Sequence, residues 1–403
     1  MNLLWGIFGM IIVLLLGLLL SNNKKSIQYR TILGGLAIQL IFAFIVLKWE
    51  AGRSALEWFT KVVQNVISYA NAGISFLFGP LGTGGEFGTI FAFHVLTIII
   101  FFSSLISILY YLGIMQWFIR IIGGGLSKLL GTSKTESMSA AANIFVGQTE
   151  APLVIRPYLK NMTNSELFAV MTGGLASVAG SVLAGYALLG VPLEYLLAAS
   201  FMAAPAGLVM AKLVMPETEK ANIAEFEMAK DTESTNVIDA AARGASDGLK
   251  LALNVAAMLL AFIALIALIN GILGLIGGIF GYGSLTLEGI LGVIFSPLAF
   301  AVGVPWSEAV TAGSYIGQKL VLNEFVAYSA FAPEIGELSE KTVIVVSFAL
   351  CGFANLSSMA ILLGGLGSLA PNRRSDIARM GLRAVAAGTL ASLLNAAIAG
   401  MFL

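Results

Sequence analysis

Apolar runs close to the ~20 residues that a helix needs to cross a bilayer recur along almost the whole chain, at residues 3–20, 31–47, 90–112, 167–189, 193–214, 249–273, 342–363 and 377–403. Helices that are apolar on every side belong inside a membrane or a very large core, so these eight runs predict an all-α polytopic membrane protein. Composition agrees: 58% of the 403 residues are hydrophobic and 11% are charged, which leaves no stretch for a large soluble module. Basic and acidic residues balance at 22 each, so a nucleic-acid partner has no electrostatic basis. The lone Cys351 excludes an internal disulfide, and the lone His94 leaves a catalytic dyad or a histidine metal site without partners. The glycine runs beginning at Gly123 and Gly364 follow no strand pattern and make poor phosphate loops. With no nucleotide-binding sequence and no enzyme or cofactor signal, energy for any transport has to come from an ion gradient. The first run lacks a basic start and a small-residue cleavage site, and is read as a retained helix.

Between the runs lie segments too polar to face lipid. Residues 51–79 have helical periodicity, with Trp58, Val62, Val63, Val66 and Ile67 forming one stripe, and are placed along the membrane interface. Residues 215–247 mix Glu217, Lys220, Glu225, Lys230, Asp231, Asp239 and Arg243, and read as an amphipathic connector with a solvated loop. Residues 135–160 and 305–332 are too interrupted to cross twice and too apolar to be loops. Each is expected to be a re-entrant hairpin: a helix, a polar break at Gln148-Thr149-Glu150 or Asn323-Glu324, and a second helix. Non-helical backbone at membrane depth is tolerated only where it is buried in protein or lines a water-filled cavity, so both breaks should point inward.

The second half repeats the pattern of the first: a span, an amphipathic piece, a hairpin with an acidic break, and two more spans. The chain divides accordingly into a single transport domain, 1–403, made of N-terminal spans and an interfacial helix (1–89), a first repeat (90–214), the connector (215–247) and a second repeat (248–403). Basic residues at Lys24, Lys25, Arg30, Arg120, Lys128, Lys134, Arg156, Lys160, Arg373, Arg374 and Arg379 mark the first hairpin's open end and neighbouring span ends as cytoplasmic. The second hairpin's open end is acidic, with Glu308, Glu334, Glu337 and Glu340. Counting eight spans between these marks puts both termini outside the cell membrane and opens the hairpins to opposite faces. That is an inverted-topology repeat, whose substrate site lies near the membrane midplane.

Glu150 and Glu324 carry the chemistry. A carboxylate at membrane depth costs roughly 2.5–3.5 kcal/mol on insertion scales, so each must be paired, solvated by a cavity or protonated. Capping of a helix N-terminus is the purely structural alternative. Gln148, Thr149 and Asn323 add directional donors and acceptors beside them. Asn355 and Ser358, three apart, are expected on one helix face, where with Glu324 they could hold a pair of vicinal hydroxyls; Phe353 could pack on a sugar ring. The polar groups of the two halves differ, which suits an asymmetric solute better than the symmetric filter of a passive channel, the rival reading from a different class. A dicarboxylate or amino-acid carrier would want basic residues at the hairpin tips, and neither tip has an arginine.

The motifs GQTEAP (Gly147 to Pro152), GGLASVAGSV (Gly173 to Val182), KLVLNEFVAY (Lys319 to Tyr328) and CGFANLSSMAI (Cys351 to Ile361) closely resemble the signatures of the concentrative nucleoside transporter family, over nearly the full chain. The resemblance implies a homotrimer with eight spans and two opposed hairpins, holding a nucleoside between them. It implies that Gln148, Thr149 and Glu150 face the nucleobase with Val182 beside it, and that Glu324, Asn355 and Ser358 hold the ribose with Phe353 near. It further implies a coupling ion at Asn143, Val146, Ser177 and Val178. An amide oxygen, a hydroxyl and backbone carbonyls are hard ligands that favour sodium. A proton-coupled symporter using Glu150 or Glu324 as the titrating group is the alternative.

Overall fold

The computed structural model describes residues 2–83, 90–219 and 234–403, and every regular element among them is helical. Lys220, Glu225, Lys230 and Asp231 of the expected connector lie outside the described residues. The chain opens with α1 (Asn2–Leu19), α2 (Tyr29–Ala43), the long amphipathic α3 (Glu50–Phe78) and a short α4 (Pro80–Thr83). The first repeat runs α5 (Phe91–Tyr111), α6 (Ile114–Leu130), α7 (Lys134–Ala142), α8 (Asn164–Ala176), α9 (Gly180–Leu189) and α10 (Leu193–Val214). The second runs α11 (Val237–Ile279), α12 (Leu287–Ala301), α13 (Ala309–Val321), α14 (Glu324–Phe331), α15 (Glu340–Leu350), α16 (Ser358–Leu369) and α17 (Arg374–Ala399).

Like elements of the two repeats face one another. Helix α5 lies along α11, α10 along α17, and the cross-pairs α8 with α17 and α15 with α10 complete the relation; α6 packs on α7 as α12 packs on α13. Helices α8 and α10 are buried almost throughout, as is α17 from Ala384 onward. Helices α1 and α11 instead turn apolar residues outward, with Leu4 73%, Leu260 76% and Ile279 79% exposed. An apolar exterior around a polar-bearing centre is the arrangement a bilayer demands.

The two faces can be told apart by their contacts. Asn2 Nδ2 donates to the Leu403 carbonyl (3.0 Å) and Lys341 Nζ to Asn2 Oδ1 (3.0 Å), so both termini lie together beside the start of α15. That is also the open end of the second hairpin, where Glu308 accepts from the Ser339 N–H (3.1 Å) and hydroxyl (2.8 Å). Burial works to raise the Glu308 carboxyl, but bonds from the Thr342 and Ser339 side chains and the Ser339 N–H outweigh it and hold the group below the ordinary glutamate value. On the opposite face, Arg373 donates to the Met162 carbonyl and to Asn164, at the start of α8. There Lys212 forms a buried ion pair with Glu136 (2.6 Å) and donates to Ser165 Oγ (2.9 Å). The hairpins therefore open to opposite faces, as the charge pattern predicts.

Several elements differ from expectation for identifiable reasons. The first hairpin has only one α-helical arm, the nine-residue α7, started by a capping box between Ser133 and Glu136. Its return arm is turns and 3₁₀ segments at Ala151–Ile155 and Leu159–Asn161. Pro152 and Pro157 remove N–H donors and clash with the preceding turn, which forbids a continuous helix there; no proline lies between Trp306 and Ala332, and both arms of the second hairpin are helical. The expected spans 167–189 and 342–363 are each two half-helices, broken at 177–179 and 351–357. The end of the expected connector is no separate element but the overhang of α11, whose 43 residues would extend about 65 Å, twice the thickness of a hydrocarbon core. In α3 the buried face is Gly52, Thr60, Ile67, Ala70 and Ile74, while Trp58 and Val62 of the expected stripe point away from the protein.

Candidate functional site

The hairpin tips and the two broken spans meet in the centre of the molecule. One cavity, of about 130 Å³, is lined by Gln148, Thr149, Glu150 and Val182 from the first repeat and by Asn323, Glu324, Phe353, Asn355 and Ser358 from the second. Leu251, Val255, Met258 and Leu259 of α11 form an apolar wall. All eight expected substrate residues are thus brought together.

The first-repeat side is a tight turn. Glu150 Oε2 accepts the Gly147 N–H at 2.5 Å. A Cβ on Gly147 would stand 2.8 Å from that oxygen, so only glycine permits the approach. Glu150 itself is exposed rather than buried. It lines both this cavity and a larger vestibule bounded by Asp247, Lys250 and Asn254 of α11. The vestibule leads toward the face where α11 begins and the first hairpin opens. Of the three ways to tolerate a carboxylate here, Glu150 takes solvation. Gln148 is buried and its Oε1 has no hydrogen-bond partner, leaving an acceptor for a solute.

The second-repeat side is a network. Glu324 is 7% exposed and accepts from Tyr186 Oη (3.1 Å) and Asn355 Nδ2 (3.1 Å). Pairing, not solvation, is how this carboxylate is tolerated. Asn355 does not share a helix face with Ser358: it sits in the non-helical break ahead of α16, where its Oδ1 accepts from Ser357 Oγ (2.7 Å), the Ser358 N–H (2.9 Å) and Ser358 Oγ (3.0 Å). The side chain thereby caps the half-helix, and its NH₂ has to face Glu324. The single Ser358 hydroxyl proton is shared between Asn355 Oδ1 and the Phe353 carbonyl, which pins the loop that carries the ring. Asn323 caps α14 through its Oδ1 (2.8 Å to Val326 N), and its buried Nδ2 remains unpartnered beside the cavity.

The expected ion residues converge beside this site. Asn143 caps the C-terminus of α7 and is buried; its Nδ2 donates to the Ser139 carbonyl (3.0 Å), and its Oδ1 has no partner. Ser177 opens the break after α8, its Oγ held by the Gly173 carbonyl at 3.0 Å. Among the described residues no backbone N–H donates to the Val146 or Val178 carbonyl, each beside its own helix break. An orphaned amide oxygen among free carbonyls at two helix C-termini is a donor set that fits a desolvated monovalent cation. The two breaks touch: the Phe353 N–H donates to the Ser177 carbonyl at 3.0 Å.

Two residues escaped the sequence reading. Tyr186 sits in the first repeat yet holds the second repeat's carboxylate; a tyrosine within a small-residue span signals it, because a buried phenol needs a partner. Lys319 is 1% exposed and donates to the Ala349 carbonyl at 2.7 Å. An intramembrane lysine should attract notice on energetic grounds alone.

The chain matches three family models: "Na+ dependent nucleoside transporter N-terminus" over residues 8–81, "Nucleoside recognition" over 92–193, and "Na+ dependent nucleoside transporter C-terminus" over 195–400. It is 64% identical to an uncharacterized transporter, YutK, of Bacillus subtilis, with 100% of both chains covered. It is 53% identical to the nucleoside permease NupC of Helicobacter pylori, over 99% of this chain and 98% of the relative. A solved structure of CNTnw in an inward-facing substrate-bound state superposes with a TM-score of 0.96 at 56% identity, covering 100% of this chain and 98% of that one. A variant of CNTnw in an outward-facing state gives 0.95, with the same identity and coverage.

Proposed function

The chain belongs to the concentrative nucleoside transporter family, multi-pass carriers of the cell membrane that couple nucleoside movement to a cation and are not enzymes, and from that premise we propose that it is a sodium-coupled nucleoside symporter. The observation that carries the reading is the convergence of two unlike polar sets on one cavity beside a buried, unpartnered Asn143 oxygen. Gln148, Thr149 and Glu150, with Val182 against the ring, take the nucleobase. Glu324, Asn355 and Ser358, with Phe353 alongside, take the ribose hydroxyls. Sodium binds at Asn143, Ser177 and the Val146 and Val178 carbonyls, ordering the first hairpin tip so that ion and solute reinforce each other. The hairpin-bearing bundle moves as a unit against a scaffold that includes α5 and α11, and the apolar exposure of α11 supports assembly as a homotrimer. The basic face is cytoplasmic and both termini lie outside.

Proton coupling is a second reading that one observation favours: Glu150 reaches the water-accessible vestibule, where a carboxyl can exchange protons. Uptake of radiolabelled uridine and adenosine into proteoliposomes, with sodium and proton gradients imposed separately, distinguishes the two. A sodium gradient alone should accumulate nucleoside above its external concentration, and Asn143→Ala with Ser177→Ala should abolish the sodium stimulation. Accumulation driven by the proton gradient alone, or sodium stimulation surviving in the double variant, would overturn the sodium assignment.

A further inference from the structure

The two repeats pose the same electrostatic problem and answer it differently. In each, the C-terminus of a hairpin helix meets the C-terminus of a half-helix, α7 with α8 and α13 with α15. Two such ends bring unpaired carbonyls and about half a negative charge each. In the first repeat the junction is lined by neutral groups, with the Asn143 oxygen unpartnered. In the second, Lys319 in the last turn of α13 places its ammonium 2.7 Å from the Ala349 carbonyl in the last turn of α15. Tyr328 Oη caps a second carbonyl of that turn, Ser347, at 2.7 Å. Glu324, on the other helix of the hairpin, accepts from Tyr186 and Asn355.

We propose that Lys319 is a tethered cation occupying, in the second repeat, the place that the mobile ion takes in the first. Its ammonium holds α13 to α15 whether or not sodium is present, so the ribose half of the site is preassembled while the base half assembles only with the ion. Lys319 is in this sense a positioning residue: it touches no solute and acts through the loop bearing Phe353 and Asn355. The proposal rests on the assignment of sodium to the first junction.

Hydrogen–deuterium exchange on the wild-type protein tests it without any variant. Removing sodium should speed exchange in the segment around Asn143 to Glu150 and leave that around Ala349 to Asn355 unchanged. If both segments open together, the second half is not preassembled and the proposal falls. If neither responds, the sodium assignment fails, and nucleoside affinity in Lys319 variants decides the lysine separately. Lys319→Met keeps the buried length without the charge, and should weaken uridine binding at saturating sodium by roughly 5- to 150-fold, the cost of a buried acceptor left unpaired. In Lys319→Ala, methylammonium should restore binding and the bulkier tetramethylammonium should not. Wild-type affinity in Lys319→Met, or rescue by both amines alike, would show that the side chain only fills space and overturn the tethered-cation role.

Discussion

Replacing Glu324 by glutamine isolates the ribose assignment, because the protein's own bonds can survive the change. Asn355 is fixed by three bonds to its Oδ1, so its NH₂ continues to donate, and the introduced glutamine meets it with the amide oxygen. The new amide NH₂ then faces Tyr186, whose hydroxyl can turn to accept. Stability should therefore change by less than about 1 kcal/mol, within the range of a conserved neutral hydrogen bond. The solute loses more. A hydroxyl bonded to a charged acceptor is worth about 1.5–3 kcal/mol, against about 0.5–1.5 for a neutral one, a difference of ~1–1.5 kcal/mol per hydroxyl. For two vicinal hydroxyls that is ~2–3 kcal/mol, or roughly 30- to 160-fold in affinity at about 1.36 kcal/mol per decade. The assay is equilibrium binding of uridine and 2′,3′-dideoxyuridine to wild type and Glu324→Gln in sodium, with melting temperature as the folding control. The ribonucleoside should lose that factor and the dideoxynucleoside almost none. An equal loss for both, or an undiminished affinity for uridine, would refute the reasoning, since either shows that Glu324 does not meet the sugar hydroxyls.

Two further outcomes follow from packing and charge. Lys212→Met leaves Glu136 unpaired at a buried position and should destabilise the protein by about 3–5 kcal/mol, with most of that recovered in the double variant with Glu136→Gln; thermal melting in detergent measures both. Gly352→Ala puts a Cβ 2.6 Å from Ser392 Oγ and 3.1 Å from the Ala176 and Leu175 carbonyls. It should cost about 1–3 kcal/mol and lower sodium-driven uptake by separating the two breaks, which proteoliposome uptake would register.

Much of this architecture is legible in the sequence alone. Apolar run length marks the spans, charge asymmetry marks opposed hairpins, and the polar breaks at Gln148-Thr149-Glu150 and Asn323-Glu324 converge as an intramembrane polar residue must. The losses have local causes. Helical periodicity suggests one face for Asn355 and Ser358, but an asparagine that caps a half-helix through its own side chain competes with the helix it precedes. The repeat pattern predicts equivalent hairpins, and Pro152 and Pro157 make one of them irregular. Tyr186 cannot be assigned to Glu324 from sequence because their contact crosses from one repeat to the other, and run length and periodicity carry no long-range pairing.

The main-chain bond from Phe353 to the Ser177 carbonyl joins the segment proposed to grip the ion to the loop proposed to grip the sugar. A carrier whose two cargoes sat on independently hinged parts could shuttle with one aboard and dissipate the gradient that drives it. Here the two grips share one main-chain hydrogen bond, so neither segment can hinge away from the other while that bond holds. If the two segments grip as proposed, the stitch between them is made by the backbone, and substitution of the surrounding side chains leaves its donor and acceptor in place.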